Sequence, residues 1–257
     1  KTVSKNTLVI STSVSGNTIE TISVLKDAIK KNCKIISFSS GGKIINMCNK
    51  NKIEYRIIPK SINPRTSLVE YLYSMLKVLQ PILPITKKEV KDSIIELEKT
   101  MNNISSKNLH SNNLSLKLAK SMSKIPVVYF PDGLGAAAVR FKNSLEENSK
   151  MHIIIEDVIE VCHNGIVSWE NYSKDIRPIL IQGKNDNKKT KKHWLVLKEF
   201  FATKKIKYEE VNSIDGNILS KIINLIYLLD YATIYRAIIN QKDPSPVISI
   251  DFIKKRV

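Results

Sequence analysis

The chain has only three cysteines, Cys33, Cys48 and Cys162, and none stands in a CxxC pair. That excludes a disulfide framework and a zinc site, and it fits a reducing cytoplasm, where thiols serve as small apolar side chains. Eight glycines in 257 residues exclude a collagen-like chain. No continuous apolar run reaches the ~18–20 residues that crossing a bilayer takes, so no membrane span is expected. Nor does a basic region followed by an apolar one open the chain, so secretion is not expected. Acidic residues are few, 24 against 41 Lys and Arg, and the formal net charge is +17. Such a surplus favours anionic partners: nucleic acid, an acidic membrane face or a phosphorylated small molecule. The excess is spread along a chain rich in Lys, Asn and Ile, as low-GC coding produces, and nucleic acid is not the expected partner. With 42% apolar and 25% charged residues the chain has the composition of a folded protein. At ~150 residues per domain its length allows one large or two compact domains.

Leu8-Val9-Ile10 is a short β-rich run that ends in a Ser/Thr/Gly/Asn cluster, followed by an amphipathic stretch over Ile19–Lys31. Strands are expected at Cys33–Phe38 and Tyr55–Ile58, with a helix over Lys43–Asn51 between them. Strand, polar turn, helix, strand is the order of parallel βαβ units. Helices are then expected over Ser67–Leu79, Lys87–Lys99 and Leu114–Met122, with a loop over Asn102–Asn113. A second series opens with Ile125–Phe130 and continues through a helix over Ala136–Asn148 and a strand over Met151–Ile155. Strands at Pro178–Ile181 and Lys207–Val211, a helix over Lys191–Lys204 and a long apolar helix over Leu219–Asn240 complete it. The fold class is therefore α/β, with a domain boundary near Lys124.

The first strand-to-helix turn carries the chemistry. It reads Ser11-Thr12-Ser13-Val14-Ser15-Gly16-Asn17-Thr18, with Glu20 and Thr21 just inside the helix. Unpaired backbone N–H groups and the positive end of the helix dipole make an anion site there. Hydroxyls add donors without bulk, and Gly16 allows the backbone close to a ligand. The turn is neither a Walker loop nor a GxGxxG fingerprint. Its ordinary reading is Thr18 or Asn17 as a helix N-cap, with the serines filling a turn.

Ser13-Val14-Ser15-Gly16-Asn17-Thr18 with Glu20-Thr21 resembles the SxSGNTxET phosphate loop of sugar-isomerase (SIS) domains. Four further segments follow in order. Ser40-Gly41-Gly42-Lys43 is similar to an SGGKL turn, and Pro64-Arg65-Thr66-Ser67 to a PRAS element. Arg140-Phe141-Lys142 with Glu146-Glu147-Asn148-Ser149-Lys150 resembles an RFK…NENAK segment. Glu160-Val161-Cys162-His163-Asn164 with Trp169 is similar to an E-x-x-HNE…W element. The ordered set, from Leu8 to about Val247, resembles the archaeal and bacterial bifunctional phosphoglucose/phosphomannose isomerases. The resemblance implies two SIS domains in tandem, 1–124 and 125–257. Each would be a parallel sheet flanked by helices, a flavodoxin-like three-layer sandwich.

What the resemblance implies chemically is aldose–ketose isomerisation of hexose 6-phosphates, with glucose 6-phosphate and mannose 6-phosphate converging on fructose 6-phosphate. Ser13, Ser15, Thr18 and Ser40 would hold the phosphate. Glu147 would move the proton between C2 and C1, and a carboxylate suits that task. His163 would open the sugar ring, reaching the site from the neighbouring subunit of a homodimer. Arg65 would stabilise the enediolate charge without acting as an acid. Lys242, before Asp243-Pro244, would be the late active-site lysine, and Thr233 the hydroxyl that admits the mannose epimer. No cofactor and no metal are implied, the partner is the hexose 6-phosphate, and the location is cytoplasmic.

The sequence departs from the family pattern at two places. A glycine-rich GMGGSxxxGD segment, which in the family opens the first domain, is not found, and Lys1 leads almost directly into a strand. Gly165 stands where the family has Glu after His-Asn. Two rival readings belong to other classes. A non-catalytic sugar-phosphate sensor would keep the phosphate loop but has no need of Glu147, His163 and Arg65 together. A nucleic-acid binder would explain the +17 charge, but no helix-turn-helix, zinc-finger or RNA-recognition pattern accompanies it.

Overall fold

The computed structural model describes residues 3–122, 124–254 and 256. Lys1 and Val257, the expected outer ends of the two domains, lie outside the described residues. The chain forms two compact units, Lys1–Ile85 and Thr86–Val257.

The first unit is a parallel sheet in the order β1 (Leu8–Ser13), β2 (Lys34–Ser39), β3 (Glu54–Ile57). Helices α1 (Ile19–Lys30), α2 (Gly42–Lys50) and α3 (Leu68–Leu79) connect and follow the strands. The central strand β2 is buried on both faces from Ile36 to Ser39, as a strand covered on both sides is. Ile36 and Phe38 pack with Tyr71 and Leu79 of α3, while Ile35, on the opposite face, packs with Leu25 of α1 and with Ile44 and Cys48 of α2. This alternation is the period of two expected of a β-strand. Burial pushes the Cys48 thiol above its ordinary pKa, so it acts as the apolar filler its composition suggested.

The second unit has the parallel order β5 (Ile154–Asp157), β4 (Ile125–Phe130), β6 (Ile176–Gln182), β7 (Glu209–Asn212). Helices α7 (Val158–His163) and α8 (Lys188–Thr203) bury Val158, Val161, Trp194, Leu197 and Phe201 against Val127, Tyr129 and Leu180 of the sheet. The longest helix, α9 (Ile218–Ile239), packs against α4 (Lys87–Ile104), α5 (Leu114–Ser121) and α6 (Gly135–Ser144). A short α10 (Ile248–Lys254) is the last helix among the described residues.

Several expectations are corrected. Strand β1 runs on to Ser13, so Ser11 and Ser13 point inward from a strand and are buried. Helix α4 takes in Asn102 and Asn103; it starts in a capping box in which Thr86 and Glu89 satisfy each other's backbone N–H groups. Strand β5 starts at Ile154, three residues later than expected, after a π turn over Leu145–Ser149 and a left-handed Lys150. Helices α7 and α10 go beyond the elements that the sequence pattern predicts. Finally, α9 is long and apolar enough to cross a membrane, although no continuous apolar run marks it. Its buried Asn224 and Thr233 and its ion-paired Asp230 are satisfied inside the unit, as in a core helix.

Candidate functional site

The phosphate-loop candidates lie in the first unit, at the C-terminal ends of β1 and β2, where ligands bind in open parallel sheets. The Ser13 hydroxyl bonds that of Thr18 at 2.8 Å and accepts the Gly16 N–H at 3.1 Å. Thr18 does stand at the N-cap of α1, but its hydroxyl caps nothing. Among the described residues no side chain accepts from the first-turn N–H groups of α1, so the helix keeps the open donors of an anion site. Ser15 is exposed and accepts the Asn17 N–H at 3.2 Å.

The β1–α1 and β2–α2 turns are joined into one rim. Ser40 N–H donates to Val14 O, Ile44 N–H to Gly16 O at 3.0 Å, and Lys43 N–H to the Asn17 side chain at 3.1 Å. Ser39 adds bonds to Ser13 O at 2.7 Å and Gly41 O at 2.9 Å. Gly16 makes this approach possible. Its φ is +66°, and a Cβ there would stand 1.7 Å from Gly41 O. Ser40 is half-buried, with its hydroxyl 3.3 Å from that of Tyr71 on α3. Arg65 lies in the 3-10 turn Pro64–Ser67 that leads into α3 and is half-exposed.

The acid/base candidates lie in the second unit. Helix α6 does not stop at Ser144 but widens into a single π turn, Leu145–Ser149, closed by Lys150 at φ +57°. Glu147 sits in the middle of that turn, half-buried. Its neighbour Glu146 is paired with Lys142 at 2.8 Å. Both glutamates line a cavity of about 560 Å³ whose other wall is Pro246–Ile250. Lys150 joins the two walls, donating to Glu147 O and, at 2.8 Å, to Pro246 O.

His163 is the exposed last residue of α7, a helix capped by Asp157 through the Ile159 N–H at 2.7 Å. The 3-10 segment after it, Gly165–Asn171, is anchored by Trp169, which is buried and donates to the Tyr129 hydroxyl at 2.8 Å. Gly165 has a local reason. A Cβ there would meet Glu156 Oε2 at 2.6 Å and Val161 Cγ2 at 2.8 Å. The space that a side chain at 165 would need is filled by Glu156. Burial, and then the charges of Glu160 and Asp157, push the Glu156 carboxyl above the ordinary glutamate range.

Thr233 and Lys242 are not among the residues that line the Glu147 cavity. Thr233 is fully buried in α9, its hydroxyl donating to Asp230 O at 2.7 Å and accepting from Asn148 Nδ2 at 2.8 Å. Lys242 is exposed just beyond α9, and the lysine that lines the cavity with Glu147 is Lys150. Sequence reading quotes Lys150 only as part of a motif and does not single out Asn148 or Asp230.

Residues 111–257 match the family model of the bacterial phospho-glucose isomerase C-terminal SIS domain. The chain is 31% identical over 269 residues to a Caldicellulosiruptor bescii protein named bifunctional phosphoglucose/phosphomannose isomerase, a match that takes in 99% of this chain and 77% of that one. A protein of the same name from Thermoplasma acidophilum is 27% identical, again over 99% and 77% of the two chains. Among solved structures, a glucose-6-phosphate isomerase like protein from Thermus thermophilus aligns with a TM-score of 0.69 at 13% identity, over 94% of this chain and 75% of that one. At that identity the likeness is one of fold.

Proposed function

Since the chain belongs to the bifunctional phosphoglucose/phosphomannose isomerase family, we propose that it interconverts glucose 6-phosphate and mannose 6-phosphate with fructose 6-phosphate. The observation that carries this reading beyond family membership is the uncapped α1 N-terminus, ringed by Ser13, Ser15 and Thr18. It offers hydroxyl and backbone donors to a phosphate dianion. Ser40, on the adjoining turn, is the fourth phosphate ligand of the proposal. The phosphate is remote from the reacting carbons, so its binding energy serves to orient the sugar.

Glu147 is the proposed base. It takes the C2 proton of the open-chain aldose and returns it to C1, by way of a cis-enediolate. Arg65 stabilises the charge that develops on the enediolate oxygens, where a fixed guanidinium acts without giving up a proton. His163 protonates the ring oxygen as the hemiacetal opens, a transfer that an imidazole is suited to make. We assign His163 to the site of a partner subunit in a homodimer, and Lys242 to a second cationic role. We read the two parallel sheets as two SIS domains, α4 and α5 belonging to the first by chain order while packing on α9. The reaction is placed in the cytoplasm, since a charged hexose phosphate does not cross a bilayer unaided.

A coupled assay tests the reading. Fructose 6-phosphate formation is followed from glucose 6-phosphate and from mannose 6-phosphate, with EDTA present. Turnover on both substrates is expected. Tight sugar-phosphate binding without turnover on either would replace the isomerase with a sugar-phosphate sensor.

A further inference from the structure

The π turn that carries Glu147 is held from both sides by buried polar groups. A π turn inserts one residue into a helix, so its i→i+5 bonds are poorer, and such turns cluster at functional sites. Here the residues flanking Glu147 are Ser144, Asn148 and Ser149, which are 2%, 6% and 2% exposed. Burying hydroxyls and an amide is costly unless each finds a partner. All three find theirs on one turn of α9. Ser144 donates to Asp230 Oδ1 at 2.6 Å, Asn148 to Thr233 Oγ1 at 2.8 Å, and Ser149 to Thr233 O at 2.7 Å. Asp230 is itself fixed by Arg140 of α6 through Nη2 at 2.8 Å and Nε at 3.1 Å. The Thr233 hydroxyl completes the ring by donating to Asp230 O.

We propose that Thr233 is a positioning residue for Glu147, acting through Asn148, and not a contact to the sugar. The inference rests on the reading of Glu147 as the base. With Asp230 it fixes both ends of the turn, so the direction of the Glu147 carboxylate is set by α9. The Thr233 hydroxyl donates its hydrogen bond to Asp230 O and accepts from Asn148, and the residue has 0% exposure, so it offers a substrate nothing. Replacing it with valine leaves the Asn148 amide with a buried unpaired N–H, and the turn must move to satisfy it. A displacement of about 1 Å at a catalytic group costs on the order of 100-fold in rate.

The test is steady-state kinetics of Thr233→Val, Thr233→Ser and Asn148→Ala on both aldose phosphates, with urea midpoints measured alongside. Thr233→Val and Asn148→Ala should each lower kcat by roughly 10–100-fold on both substrates alike, leaving KM within about twofold. Thr233→Ser should restore kcat, since it keeps the hydroxyl. The double variant should lose little more than either single one, because both remove the same bond. Ser149→Ala, which loses one bond to Thr233 O, gives a milder form of the same pattern and serves if Thr233→Val does not fold. A Thr233→Val chain with intact kcat overturns the positioning role. So does one that changes the glucose-to-mannose ratio of kcat/KM, which would make Thr233 a sugar contact. A wild-type chain that turns over neither substrate overturns the isomerase reading itself, a result distinct from an active wild type indifferent to Thr233.

Discussion

Replacing Gly16 with alanine should damage the phosphate rim more than any other single methyl group added to the chain. Two independent costs arise. The residue has φ +66°, a conformation that costs an L-residue roughly 1–2 kcal/mol. The new Cβ would also stand 1.7 Å from Gly41 O, 2.7 Å from Gly41 C and 2.8 Å from Ser39 Oγ. Two of those atoms are backbone and cannot rotate away, so the turns must part, and overpacking of this kind costs about 1–3 kcal/mol. Together the change amounts to roughly 2–5 kcal/mol, a large share of the ~5–15 kcal/mol that holds a folded domain together. Parting the turns breaks the bonds from Ile44 N–H to Gly16 O and from Lys43 N–H to Asn17, so the hydroxyl ring should open as well. The assay has to see the first unit. Both tryptophans, Trp169 and Trp194, lie in the second, so far-UV circular dichroism in urea, not tryptophan fluorescence, is the suitable probe. The midpoint of the first unit should fall, and KM for either aldose phosphate should rise. A Gly16→Ala chain with an unchanged urea profile and an unchanged KM would refute the close-approach argument.

Two further predictions concern the second unit. Asn113, with 0% exposure, caps α5 through the Leu116 N–H at 2.9 Å and donates to Ile104 O at 3.0 Å and Asn108 O at 2.7 Å. Asn113→Ala should cost roughly 1–3 kcal/mol, from the lost cap and the lost bonds to Ile104 O and Asn108 O, and tryptophan fluorescence in urea reads it directly. Glu156 holds its proton more tightly in the folded chain than in the unfolded one, chiefly through burial. Its ionisation therefore opposes folding as pH rises above the ordinary value of 4.5. Glu156→Gln should raise Tm at pH 7–8, and the gain should fade as pH falls below 4.5. A gain that is the same at every pH would contradict the assignment.

Strand alternation and helical spacing made most of the fold legible. Ile36 and Phe38 on one face of β2, with Ile35 on the other, are a local pattern that needs no tertiary knowledge. The packing of α4 on α9 was not legible, because α9 comes more than a hundred residues later and no local signal names a distant partner. The motifs pointed to Glu147 and His163, but not to the buried polar groups around the turn that carries Glu147. The π turn is invisible to a 3.6-residue period, which continues smoothly from α6 into it. A signal did exist. Ser144, Asn148 and Ser149 share a helix with Phe141 and Leu145, and Asp230 and Thr233 interrupt an otherwise apolar helix. Polar residues on two apolar faces point to a buried network linking them. Gly165 likewise reads from the sequence as a lost carboxylate, and in space it is room taken by Glu156.

Proton transfer by Glu147 is the central step of the proposed reaction, and isomerisation in deuterated water, followed by proton NMR, tests it. The wild-type chain should convert the aldose phosphates and place solvent deuterium on C1 of fructose 6-phosphate, because a carboxylate holding the C2 proton exchanges it with solvent. Glu147→Gln should lower both turnover and exchange by roughly 10²–10⁴-fold, while still binding the sugar phosphate at the Ser13–Thr18 turn. Turnover and exchange that survive in Glu147→Gln would contradict the assignment of the base and, with it, the mechanism built on it.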